Sequence, residues 1–110
     1  MTVGELAEIL SLEVLYEGDL SRKVESIYVG DIIGRAAGKI KRGGAWVTIM
    51  HNVNVAAAAE ISGAACVILA ENVSPDGEFL EKMPFISGSV LRSPDSAYDL
   101  AWKLRQATGL

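Results

Sequence analysis

The chain has one cysteine, Cys66, one histidine, His51, and few basic residues, and each shortage removes a class of function. A lone cysteine closes no internal disulfide, and one histidine with one cysteine builds no Cys/His metal cluster within a chain. Ten Lys and Arg against fourteen Asp and Glu give a net charge of −4. That balance supplies no footprint for phosphate backbones or anionic lipid, so neither nucleic acid nor a membrane surface is an expected partner. No Lys or Arg precedes Arg22. The basic start of a secretory signal is therefore missing, and a cytoplasmic location is expected. Even the least charged stretch, residues 43 to 59, holds Thr48, His51, Asn52 and Asn54, which breaks the roughly 20 apolar residues that a membrane-spanning helix needs.

What is present suits a packed globule. Half of the 110 residues are hydrophobic and 22% are charged, enough apolar surface to offset the entropy of ordering a chain, and the length fits one domain over residues 1–110. Thr2 with Glu5 forms a capping-box pattern, and Val3, Leu6, Ala7 and Leu10 follow at helical spacing. Short strands are expected at Glu13–Tyr16 and Val24–Val29, the second alternating apolar and polar. Asp31 is read as the cap of a helix reaching Ile40, weakened by Gly34 and Gly38. Ala45–Met50 and Ala64–Ala70 are nearly unbroken apolar runs, as in strands covered on both faces. Between them, Asn52 or Asn54 opens an alanine-rich helix that Gly63 closes. A short helix follows at Glu78–Lys82, then a last strand near Phe85–Ser87. Ser93 as cap and Pro94 at the first helical position start a final helix with its stripe at Ala97, Leu100, Ala101 and Leu104. Strand and helix alternate with short connections, which predicts an α/β fold, three-layer α/β/α with a mainly parallel sheet.

Little of this carries chemistry. The glycines form neither G-x-G-x-x-G nor a Walker loop, so no phosphate cradle of those types exists. Cys66 lies mid-strand among apolar neighbours, where a thiol behaves as a small hydrophobe, and the aspartates at 19, 31, 76, 95 and 99 are scattered over turns and caps. No catalytic residue, metal site or cofactor is expected. The best-placed polar groups are Thr48, His51, Asn52 and Asn54 around the end of one central strand, with Asn72 and Ser74 after the next. Open α/β sheets bind ligands at such strand ends, so these six are the candidate site for a nucleotide or other anion. Tyr98 and Trp102 widen the apolar side of the last helix beyond what a small sheet covers, which marks them as candidate interface residues of a homodimer.

The stretches Tyr28-Val29-Gly30-Asp31, Ala45-Trp46-Val47-Thr48-Ile49 and Ala65-Cys66-Val67-Ile68-Leu69, continuing to Ser74-Pro75-Asp76, resemble the DRTGG domain family. The last third, from Cys66 past Pro75 and Pro84-Phe85-Ile86 to Ser93 and the final helix, is also similar to the N-terminal domain of HPr kinase/phosphorylase. The resemblance implies the three-layer fold that this domain shares with the first domain of the MurF ligase. It also implies a non-catalytic regulatory or scaffolding role beside a metabolic or redox partner, such as the iron-hydrogenase systems near which small free-standing members are encoded. The two name-giving loops of the family would fall on His51-Asn52-Val53 and Ala70-Glu71-Asn72, and this chain keeps neither signature.

Overall fold

Two runs of buried residues build the centre of the molecule, as their composition demands. A computed structural model describes all 110 residues, and in it β3 (Gly44–Thr48) and β4 (Cys66–Leu69) are buried at every position. β2 (Ser26–Val29) joins β3 in parallel, β4 follows, and β5 (Ser89–Arg92) pairs with β4, also in parallel. β1 (Glu13–Tyr16) closes the other side, antiparallel to β5, for a sheet order of β1-β5-β4-β3-β2.

Alternation along the strands divides the core in two. Ala45, Val47, Cys66, Ile68 and Leu91 face one side, where they meet α1 (Val3–Ile9) and α5 (Ala97–Thr108) through Leu6, Leu100 and Leu104. Trp46, Val67, Leu69 and Val90 face the other, under α2 (Ile33–Lys39), α3 (Val53–Ser62) and α4 (Gly77–Lys82). The result is the expected three-layer α/β/α arrangement. The alanines of α3 let its backbone approach the sheet, with Ala56, Ala58 and Ala59 all buried.

Caps follow local chemistry where a short polar side chain is available. Thr2 and Glu5 form the capping box of α1. The Asn52 side chain accepts the Asn54 N–H at 2.9 Å, while Gly63 ends α3 in the left-handed conformation at φ 72°. Arg22 then secures the α3–β4 turn, donating to the carbonyls of Gly63 and Ala64 at 2.8 and 3.0 Å.

Three local readings need correction. The last strand is not at Phe85–Ser87: Met83–Phe85 form a 3-10 turn with Pro84 inside it, and β5 begins only at Ser89. Proline brings no N–H to a ladder, so the chain turns a corner here instead, burying Met83 and Ile86 and leaving Phe85 exposed. The final helix is capped by Ser96, whose side chain accepts the Asp99 N–H at 3.1 Å, and not by Ser93, which holds the Asp95 N–H in the preceding turn. Asp31 does not cap α2, since Ile32 stands at that position without a side-chain bond.

Candidate functional site

The carboxylate of Asp31 reaches across to the neighbouring strand end instead. Its Oδ1 accepts the Thr48 hydroxyl at 2.8 Å and the Ile49 N–H at 2.9 Å, and the same hydroxyl accepts from the Met50 N–H at 3.1 Å. Thr48 is thus a buried bracket between the loops after β2 and β3. Its one donor and one of its two acceptor positions are used inside the protein, where a buried hydroxyl needs such partners.

The remaining candidates divide into tied and open residues. Asn52 is occupied in the α3 cap. The Ser74 hydroxyl accepts from Arg92 Nη1 at 2.6 Å, on a guanidinium that also grips Glu13 at 2.9 and 3.0 Å and so joins β1, β5 and this loop. His51, Asn54 and Asn72 have exposed side chains, and the Nδ1 of His51 lies 3.2 Å from the Ile49 carbonyl. The loops after β3 and β4 do lie side by side, because β3 and β4 are paired and the Asp76 N–H donates to the His51 carbonyl at 2.9 Å.

Side-by-side loops do not make a crevice here. Ligand clefts open where adjacent strands send their connections to opposite faces, and β3 and β4 both lead to helices on the same face. The strands whose connections part are β4 and β5, since α4 lies on one side of the sheet and α5 on the other. There the backbone laces the gap shut: the Glu71 N–H donates to the Asp95 carbonyl at 2.8 Å and the Asn72 N–H to the Ser93 carbonyl at 2.9 Å. Glu71 and Asn72 reach those partners in consecutive left-handed conformations, φ 55° and 57°. Asparagine adopts that region readily, whereas glutamate does so at a cost of about 1 kcal/mol. Sequence reasoning missed this seam, and nothing but the asparagine signals it.

The two concavities of the structure lie elsewhere. One, of about 350 Å3, is a shallow depression on the outer side of α5 over Tyr98, Asp99, Trp102 and Lys103. The other, of about 280 Å3, is an apolar groove where α3 meets the 3-10 turn, lined by Val53, Ala56, Ala57, Phe85 and Ile86 with Glu60 and Lys82 at its rim. No family model and no curated protein matches the chain. On α5, Tyr98 is 83% exposed and Trp102 62%, while the opposite face of the same helix buries Leu100 and Leu104 completely. Large aromatic side chains left in water at i and i+4 form a contiguous apolar patch. The Lys103 ammonium at its margin bonds the Asp95 carboxylate at 2.7 Å, and that hydrogen bond, followed by the attraction of the carboxylate charge, holds its pKa above the usual lysine value.

Cys66 is buried, and burial pushes its thiol up to about 12 from the 9.0 of an open cysteine. A native-state thiol reagent at neutral pH is therefore expected to leave Cys66 unlabelled, with full labelling once urea unfolds the chain; rapid labelling of the folded protein would contradict the burial. The folded state holds the proton more tightly than the unfolded one. Stability from this group is thus intact below about pH 9 and is lost as pH rises from there toward about 12.

Proposed function

We propose that this protein is a non-catalytic interaction module of the DRTGG type, a homodimer that regulates or scaffolds a metabolic or redox partner. The observation that carries the reading is the outer face of α5, where Tyr98 and Trp102 stand exposed on a helix whose other face is fully packed. Exposed aromatic pairs of this kind favour protein partners, because each ring brings a large rigid apolar surface at small entropic cost. The polar groups at the strand ends support the same reading, since Thr48, Asn52 and Ser74 are engaged by the protein itself.

A second reading, a small-molecule sensor, rests on the adjacency of the loops after β3 and β4 and the exposed His51, Asn54 and Asn72. A thermal-shift screen against nucleotides, inorganic phosphate and acyl phosphates separates the two. The interaction reading predicts a flat screen. A ligand present at about 100 times its Kd adds about 2.7 kcal/mol, roughly ten degrees for a domain of this size. Such a shift, abolished in His51→Ala, would replace the interaction reading by the sensor.

A further inference from the structure

We propose that two copies of this chain pair through α5 in antiparallel orientation, across a two-fold axis that lies outside the helix at the level of residues 100 and 101, with Tyr98 against Trp102 of the second copy and Asp99 against its Lys103. The inference rests on the reading of α5 as the interaction face and gives it a partner and a geometry.

The argument is one of pattern. Residues 98, 99, 102 and 103 line one depression on the outer side of α5. At 100° per residue, Tyr98 and Trp102 lie 40° apart and form one column, and Asp99 and Lys103 form a second column beside it. A two-fold axis perpendicular to the helix keeps each column facing itself but reverses its order. Tyr98 then meets Trp102, and Asp99 meets Lys103, twice over, as a self-complementary interface requires. Parallel pairing, about a two-fold axis along the helices, would instead exchange the columns, setting Tyr98 against Asp99 and Trp102 against Lys103 and taking each charge away from its opposite. Only the antiparallel form brings ring to ring and carboxylate to ammonium, so the order of the two columns selects it.

Both members of the ion pair are able to take part. The Asp99 carboxylate accepts no hydrogen bond within the chain, its backbone N–H alone being used in the Ser96 cap, although its charge attracts Lys103 one turn on. Lys103 gives one N–H to Asp95 at 2.7 Å, and an ammonium carries three. A second carboxylate therefore finds a donor without displacing the first. Aromatic contact supplies the affinity and the charged column supplies the register.

Sedimentation equilibrium of the full chain tests this with a charge swap. Wild type is expected to sediment as a dimer, twice 11.7 kDa. Asp99→Lys alone and Lys103→Asp alone are each expected to weaken association by roughly tenfold or more, because each sets like charges face to face. An equimolar mixture of the two variants is expected to recover the dimer. Both positions are exposed, and far-ultraviolet circular dichroism confirms that each variant is folded. If the single variants dimerise as wild type does while Trp102→Ala is monomeric, α5 is the interface and the antiparallel pairing is overturned. If Trp102→Ala also dimerises as wild type does, the α5 reading falls with it. A wild-type monomer at the highest attainable concentration overturns the self-pairing and leaves the aromatic face to a different protein.

Discussion

Gly88→Ala is expected to be among the most damaging single-methyl changes in this protein. A Cβ at Gly88 would sit 2.6 Å from the Ala64 carbonyl oxygen and 2.8 Å from that of Ala65. Both are backbone atoms at the entry to β4, and they cannot swing aside as a side chain would. The Ser89 N–H bonds the Ala65 carbonyl at 3.1 Å, and the Gly88 carbonyl in turn lies only 2.5 Å from where a Cβ on Gly18 would stand. The strand entries are thus in backbone contact, and the added methyl must push β5 away from β4. Overpacking of this kind costs about 3 kcal/mol or more. For a domain of this size that lowers Tm by roughly 12 °C or more. Thermal unfolding followed by circular dichroism measures it. Gly34→Ala and Gly38→Ala provide the contrast within one experiment. Both lie inside α2 with nothing within 4 Å of the new methyl, so each is expected to raise stability by about 1 kcal/mol. An unchanged Tm for Gly88→Ala would mean that the β4–β5 contact yields to the added methyl.

Trp46→Ala is expected to cost about 4 kcal/mol, near the upper range for truncation of a buried aromatic. Trp46 is fully buried in β3, packed under α2 and α3, and its Nε1–H donates to the Gly30 carbonyl at 2.9 Å. The substitution removes the largest side chain of that core layer and the only polar tie from the ring to the end of β2. Trp46→Phe separates the two contributions: it keeps most of the packing but leaves the Gly30 carbonyl without its donor, for an expected loss of about 1–2 kcal/mol. Urea unfolding gives both values. Fluorescence checks the premise, since Trp102 is 62% exposed and Trp46 fully buried. At concentrations low enough for the chain to be monomeric, iodide is expected to quench the tryptophan that remains in Trp46→Phe and to spare the one that remains in Trp102→Phe.

Elements governed by nearest neighbours were legible in the sequence. The capping box of Thr2 and Glu5, the apolar runs of β3 and β4, and the Asn52 and Gly63 ends of α3 depend on residues a few positions apart, and the structure has them at those places. The errors arose where distant partners decide. Phe85-Ile86-Ser87 has the composition of a strand, but the next pairing with β4 starts at Ser89, after Gly88 has passed close to Ala64 and Ala65. Ser93 and Ser96 are equally good caps by type, and the choice falls on Ser96 because Ser93 is buried at the seam where its carbonyl receives the Asn72 N–H. The placement of the candidate residues was legible, but which of them the protein itself engages was not: Thr48, Asn52 and Ser74 are bonded internally while His51, Asn54 and Asn72 are exposed. That the Thr48 hydroxyl turns inward follows from Asp31, 17 residues earlier, and that the strand-end gap is closed follows from the backbone of Glu71 and Asn72. Tyr98 and Trp102 were legible as surplus apolar residues because helical spacing alone puts them off the Leu100–Leu104 stripe.

The single antiparallel edge of the sheet has a consequence for the time course of folding. Each parallel pairing, Ser26 with Gly44, Ala45 with Cys66 and Cys66 with Ser89, closes a loop of roughly twenty residues, so the three carry similar and modest entropic penalties. The pairing of β1 with β5 instead joins Glu13 to Arg92 across 79 residues. By loop-closure entropy the four parallel strands are expected to assemble first, with β1 docking onto a sheet already formed. Contacts made after the barrier change the rate of escape from the native state and leave the rate of reaching it nearly untouched. The Glu13–Arg92–Ser74 cluster is accordingly expected to act as a kinetic latch, its removal speeding unfolding in a stopped-flow measurement while leaving the refolding rate nearly unchanged.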